Sequence, residues 1–144
     1  MIRIIAVGKM KDKRLAQLAD DFLRRLRPMA PVEVTELKDS NTEKEGREMV
    51  SRLGSASGNT LVVAMDEKGD DLSSEEFARL LGKHGSITML IGGADGLGAA
   101  ARQRAGRTLK LSSMTWTHEM ARVLLIEQIY RGFSILKGRP YHRG

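Results

Sequence analysis

Two runs almost free of polarity, Thr60–Met65 and Ser86–Ile91, constrain this chain more than any other feature. Neither alternates, so neither can rest with one face in water. Each reads as a strand covered on both faces, as in parallel sheets sandwiched between helices. The flanking segments agree. Ile2–Val7 is a β-rich run, and residues 12–26 place Leu15, Leu18, Ala19, Phe22 and Leu26 on one helical face. Pro28 and Pro31 end that helix, and Val32–Leu37 alternates as a half-buried strand. Thr42–Leu53 reads as a polar surface helix with few core positions (Met49, Val50, Leu53). A turn over Asp66–Asp71 leads into Ser73-Ser74-Glu75-Glu76, a capping box that starts a helix buried through Phe77, Leu80 and Leu81. A short helix (Ala99–Ala105), a strand (Thr108–Leu111) and a last helix (about His118–Leu136, capped by Thr117) complete the chain. The alternation predicts an α/β fold: a mostly parallel sheet of about five strands, helices on both faces, in a single domain over 1–144.

The last helix is apolar on every side, with Met120, Val123, Leu124, Leu125, Ile126, Ile129, Tyr130, Phe133, Ile135 and Leu136 around its circumference. Such a helix must be buried all round, and a sheet covers one side only. A second subunit is the simplest cover for the rest, which predicts a homodimer through this helix. The alternative is a place between the sheet and another helix of the same chain.

Composition narrows the function classes. No stretch approaches a membrane span, and the N-terminal apolar run is too short for a signal peptide, which makes the cytoplasm the default location. Cysteine is absent, which excludes disulfides, thiolate metal sites and a cysteine nucleophile. The three histidines, His84, His118 and His142, lie far apart with no close ligand pair, so no metal is expected. The net charge is +6, unevenly spread: residues 101–144 carry nine Lys/Arg against two acids, whereas the first 100 carry 15 against 16. A basic C-terminal segment after an acidic middle points one face toward a polyanion. With only six aromatic residues, a broad base-stacking platform is excluded.

Three strand ends offer site chemistry. The strand ending at Ile91 runs into Gly92-Gly93-Ala94-Asp95-Gly96-Leu97-Gly98, where main-chain groups can approach a ligand unobstructed. It is neither a dinucleotide fingerprint nor a phosphate-binding loop, for a third glycine and a Gly-Lys-Ser/Thr are both missing. The other ends are Met65-Asp66-Glu67-Lys68-Gly69 and Leu111-Ser112-Ser113-Met114-Thr115-Trp116. Together they supply backbone groups and hydroxyls but no cluster of Lys or Arg. Such a pocket suits a neutral heterocycle bearing a cationic centre better than a polyphosphate. The tail, Gly138-Arg139-Pro140-Tyr141-His142-Arg143, concentrates phosphate- and base-contacting side chains where a terminus is usually Ser, Glu and Gly.

These strand ends, with the stretch from Leu111 through His118, Arg122 and Glu127-Gln128-Ile129-Tyr130-Arg131 to Pro140-Tyr141-His142-Arg143, resemble the SPOUT-class RNA methyltransferases that methylate N3 of a pseudouridine in large-subunit ribosomal RNA. The resemblance spans essentially the whole chain, and its last stretch is the most specific. It departs at Met65, where leucine is expected, and at Ala94, where proline is common. The resemblance implies a C-terminal trefoil knot forming an S-adenosylmethionine pocket, a homodimer, and ribosomal RNA at the subunit interface of the ribosome as partner. By motif, cofactor contacts are implied at Met65, Gly92, Leu111, Ser112, Ser113, Met114, Thr115 and Trp116. RNA contacts are implied at His118, Arg122, Arg139 and Tyr141. His142 is expected as a base or base-positioning group, with Arg143 beside it at the chemistry. Two rivals remain at this level: a nucleotide-binding α/β hydrolase, and a non-enzymatic ribosome-binding protein.

Overall fold

The doubly covered runs become the middle of a sheet. A computed structural model describes residues 1–54 and 59–144. In it, β1 (Ile2–Val7), α1 (Lys13–Leu26), β2 (Val32–Leu37), α2 (Thr42–Leu53), β3 (Thr60–Asp71), α3 (Ser74–Lys83), β4 (Ser86–Ile91), α4 (Ala99–Arg104), β5 (Arg107–Lys110) and α5 (His118–Leu136) follow in order. The strands form one sheet, β2-β1-β4-β3-β5, with every pairing parallel. Ile4 stands opposite Val34 on one side and Met89 on the other, and Met89 in turn faces Val63.

Burial explains the two apolar runs. On one face Ile4, Val63, Ile87 and Met89 pack against Leu23 and Leu26 of α1, Phe77 and Leu81 of α3, and Ile126 and Ile129 of α5. On the other, Ile5, Val7, Val62, Ala64 and Leu90 meet Met49 and Leu53 of α2 and Ala101 of α4. Met89 and Leu90 are neighbours on opposite faces and both are wholly buried. A strand in that position is buried on both faces, and of its polar residues only Thr88 lies in the interior. Helix starts follow their side chains too. Asp12 accepts from the amides of Arg14 and Leu15, the Ser73–Glu76 capping box is complete, and Thr117 caps α5.

One expectation needs correction, and two others gain detail. Asp66–Asp71 is no turn but the second half of β3. Met65 and Asp70 both stand opposite Leu109, so β3 bulges between them and then continues along β5. An edge segment of this kind needs no apolar pattern, which is why its charges read as a turn. Secondly, α2 buries Met49 and Leu53 as expected while Val50 stays half-buried, and Gly46 lets α2 close on Ala100 and Ala101 of α4. Thirdly, α5 lies between α1 and α3 of its own chain, with Gly132 against Ala78 and Leu81. Much of its apolar circumference is therefore met within one chain, while Leu124 and Ile135 stay half-buried and Leu136 is exposed. No helix among the described residues is long and apolar enough to cross a membrane.

The bulge depends on Gly69. A Cβ there would lie 2.5 Å from the Leu109 carbonyl carbon and 2.6 Å from its nitrogen, a clash with backbone that cannot swing aside. Gly69→Ala is expected to cost about 1–3 kcal/mol in urea denaturation. Gly85→Ala, where a Cβ meets nothing within 4 Å, serves as the control and should stay within about 0.5 kcal/mol of the parent.

Candidate functional site

Because β4, β3 and β5 are neighbours, the C-terminal ends of β4 and β5 and the bulge in β3 open side by side and line one cavity of about 200 Å³. Met65, Asp66 and Glu67 come from β3; Ile91, Gly92, Gly93, Ala94 and Gly96 follow β4; Lys110, Leu111, Ser112, Met114, Thr115 and Trp116 come from the end of β5. The first turn of α5 adds His118 and Ala121. This is the sheet edge at which open α/β folds hold ligands.

The glycines after β4 shape the loop itself. The Gly96 amide donates to the Gly93 carbonyl at 3.0 Å, and Gly96 has φ +79°, a conformation few side chains tolerate. A Cβ on Gly92 would lie 2.4 Å from the Gly96 carbonyl oxygen, so the loop can fold onto itself only with glycine there. The β5–α5 loop is ordered by Ser112. Its hydroxyl accepts from the Met114 amide at 2.9 Å and from the Trp116 indole Nε1 at 3.0 Å, and donates to the Met114 carbonyl. Met114 and Trp116 remain 76% and 43% exposed, leaving apolar surface at the cavity mouth. Ser113 does not line the cavity and faces Lys110, whose ammonium lies 3.3 Å from its hydroxyl.

Charge around the cavity disfavours anions. Among its lining residues Asp66 and Glu67 are set against one ammonium, Lys110. Asp66 is held by Arg102 at 3.4 Å and by the Lys68 amide at 3.0 Å. Two carboxylates and a set of main-chain groups suit a neutral ring with a cationic centre; a triphosphate would find one cation.

Arg122, expected at the RNA, has another task. It is 3% exposed, ion-paired with Glu36, and donates to the carbonyls of Val7 and Gly8 at 3.1 and 2.7 Å. With these N–H groups turned inward it braces the end of β1 and is not available to a phosphate. Glu119, one turn earlier, accepts from the amides of Lys11 and Asp12, both at 3.0 Å, and ties α5 to the start of α1.

The tail lies away from the cavity of its own chain: none of Arg139, Tyr141, His142 and Arg143 lines it. Tyr141 donates to Glu127 at 2.7 Å and sets its ring 4.6 Å from that of Tyr130, edge to face, with Arg131 at 4.8 Å. Glu127 also holds Arg131 through two bonds, at 3.3 and 2.7 Å. His142 bridges Arg131 at 3.0 Å and Glu75 at 2.8 Å. Arg139 and Arg143 are exposed. Burial alone would raise the Glu127 carboxyl, but the hydrogen bonds from Arg131 and Tyr141 outweigh it and hold it below the ordinary value. The same burial and the same carboxylate push the Tyr141 phenol up to about 12. The bond from His142 holds the Glu75 carboxyl low.

The family model described as "Predicted SPOUT methyltransferase" matches residues 1–142. The chain belongs to this family. Curated relatives named ribosomal RNA large subunit methyltransferase H include one from Syntrophotalea carbinolica, 40% identical over 98% of this chain and 97% of its own length. Another, from Clostridium kluyveri, is 38% identical over 99% of both. Among solved structures, a probable methylase family protein from Haemophilus influenzae superposes with a TM-score of 0.61 at 15% identity, over 99% of this chain and 70% of that one. The SpoU methyltransferase AviRb from Streptomyces viridochromogenes, in complex with the cofactor AdoMet, gives 0.50 at 13% identity, over 91% and 57%. Those two likenesses speak to the fold.

For a SPOUT methyltransferase, the strand-end motifs thus marked most of one cavity. Met65, Gly92, Leu111, Ser112, Met114, Thr115, Trp116 and His118 line it together; Ser113 and Arg122 stand outside it. Asp66 and Glu67 lie inside a motif that sequence reasoning assigned to the pocket but were not named as contacts, and Lys110, which adjoins Leu111, was missed. Glu75 as a partner of the tail carried no signal beyond its place in a capping box.

Trp116 is the chain's only tryptophan and so reports on the loop. Ser112→Ala is expected to increase acrylamide quenching of its fluorescence while costing about 1 kcal/mol or less in stability. The tail should respond to acid. Glu127 titrates lower folded than unfolded, so its contribution is present above the ordinary carboxylate range and is lost as pH falls through the depressed value. NMR signals of the Tyr141 ring should therefore hold their position through the ordinary carboxylate range and shift only below it, as Glu127 protonates. In Glu127→Gln that low-pH step should vanish.

Proposed function

We propose that this chain methylates N3 of a pseudouridine in large-subunit ribosomal RNA, using S-adenosylmethionine, as a knotted homodimer joined through α5. The observation that carries the reading is the convergence of three neighbouring strand ends on a cavity with carboxylates but no cluster of cations. Main-chain groups around Gly92 and from Leu111 to Trp116 hold the adenine, and Asp66 and Glu67 favour the positive centre. S-adenosylmethionine supplies a methyl carbon on a cationic sulfur, which departs as a neutral thioether with the C–S electron pair as the new N–C bond forms.

The chain's own residues then have to place the RNA. N3 of pseudouridine is an imide nitrogen whose proton passes to solvent before attack, and nearby cations favour the anion left behind. Arg139 and Arg143, exposed on the tail, supply that charge and contact phosphates, while His118 lies at the mouth of the cavity. Since the tail stays clear of its own cavity, the arm of a second copy is the one that reaches it. The half-buried Leu124 and Ile135 and the exposed Leu136 offer the surface for that pairing. Support for the knot comes from the sheet order: after β4 the chain passes β3 to reach the outer β5, then returns as α5 between α1 and α3. The glycine loop after β4 and the apolar mouth at Met114 and Trp116 would be idle in a purely structural ribosome-binding protein. Alignment of donor and nucleophile supplies much of the rate in such a transfer.

The test is incubation with methyl-labelled S-adenosylmethionine and ribosomes that lack this modification, followed by mapping of the labelled nucleotide. Label at one pseudouridine of the large-subunit RNA is the expected result. No incorporation, or label on another position or base, overturns the assignment. Because phosphate contacts release counterions, the KM for ribosomes should rise steeply with salt while donor affinity changes little.

A further inference from the structure

The tail carries side chains of two kinds. Arg139 and Arg143 face solvent, whereas Tyr141 and His142 are turned inward, each onto named partners. The imidazole is held at both ends. Arg131 can only donate, so the contact at 3.0 Å makes His142 Nδ1 the acceptor. The ring proton therefore sits on Nε2, which donates to Glu75 Oε1 at 2.8 Å. Neither nitrogen is left over to take a proton from a substrate. In this arrangement the histidine places the chain; it does not act as the base.

Its two anchors come from different helices. Arg131 is on α5 and is clamped by Glu127, which also takes the Tyr141 hydroxyl. Glu75 lies in the first turn of α3, beside Ser74, whose hydroxyl donates to Gln128 of α5 at 2.7 Å. Among the described residues no lysine or arginine pairs with Glu75, so its carboxylate is given over to the histidine and the helix start. The result is a bracket: Glu75 on one side, Arg131 and Glu127 on the other, with the chain between Pro140 and Arg143 fixed across it.

We propose that Glu75 is a positioning residue which, through His142, fixes the tautomer of the imidazole and the place of the C-terminal arm. Arg139 and Arg143 are thereby presented at a set position to the RNA backbone. This deepens the function proposed above and rests on it. A one-ångström misplacement of such groups is enough to slow a reaction strongly, even though Glu75 touches no reacting atom.

The experiment compares Glu75→Ala, Glu75→Gln and a chain lacking residues 139–144 in the full-length protein. Glu75→Ala is expected to lower kcat/KM for ribosomes about 10- to 100-fold with donor affinity unchanged. Glu75→Gln, whose amide oxygen still accepts from Nε2–H, should stay within about threefold of the parent. Nitrogen NMR of the His142 ring should show one tautomer, protonated on Nε2, in the parent and in Glu75→Gln, and a mixture in Glu75→Ala. If the truncated chain is inactive but Glu75→Ala keeps full turnover, or its ring keeps the single tautomer, the role of Glu75 is overturned. If the truncated chain retains full turnover, the arm has no part in the reaction and the role of Glu75 falls with it, while the methylation proposed above stands; if the parent chain incorporates no label, it is that function which falls.

Discussion

A buried guanidinium holds the working edge of this molecule together. Parallel strands end with carbonyls that no neighbour satisfies, and in a closed rim each one left bare costs free energy. Arg122 of α5 takes two of them, at Val7 and Gly8, and joins Glu36 at the end of β2. Breaking a fully buried charge network of this sort costs about 3–5 kcal/mol, somewhat less here because Glu36 is one-third exposed. The same helix starts at the cavity and ends at the arm. Seating its first turn therefore sets the distance between donor pocket and tail, two places that share no side chain.

How much of this could be read in the residues differs by layer. The two doubly covered runs, the capping box at Ser73 and the cap at Thr117 are local signals, and the structure follows them closely. The charged half of β3 was misread because a segment that runs past its pairing with β4, held on β5 by a bulge and a backbone-on-backbone approach at Gly69, leaves no periodic trace. The circumference of α5 was read correctly as apolar, but a pattern cannot say which neighbour covers it; α1 and α3 do much of that. In the site, glycine and hydroxyl motifs were legible since they have few other reasons to sit at strand ends. Arg122 was not, for an arginine in a sequence looks the same whether it will face water or a carbonyl. The Glu75–His142 bond joins residues 67 positions apart and had no signature at all.

The cavity and the arm divide the chemical work by charge. Around the cavity carboxylates outnumber ammonium groups; along the arm exposed arginines dominate. In the function proposed above, a cationic donor and a polyanionic acceptor would be drawn to different ends of one helix, and a second copy would be the means of bringing those ends together.

The position of the first strand has a consequence for folding. β1 lies inside the sheet, between β2 and β4, and the amino group of Met1 bonds to the carbonyl of Gly85. One edge of β1 meets β2 about thirty residues on, but the other waits for β4, some eighty residues on, and α5 seats later still. Contacts so distant along the chain make for slow folding, with one edge of an apolar strand unpaired in the interval.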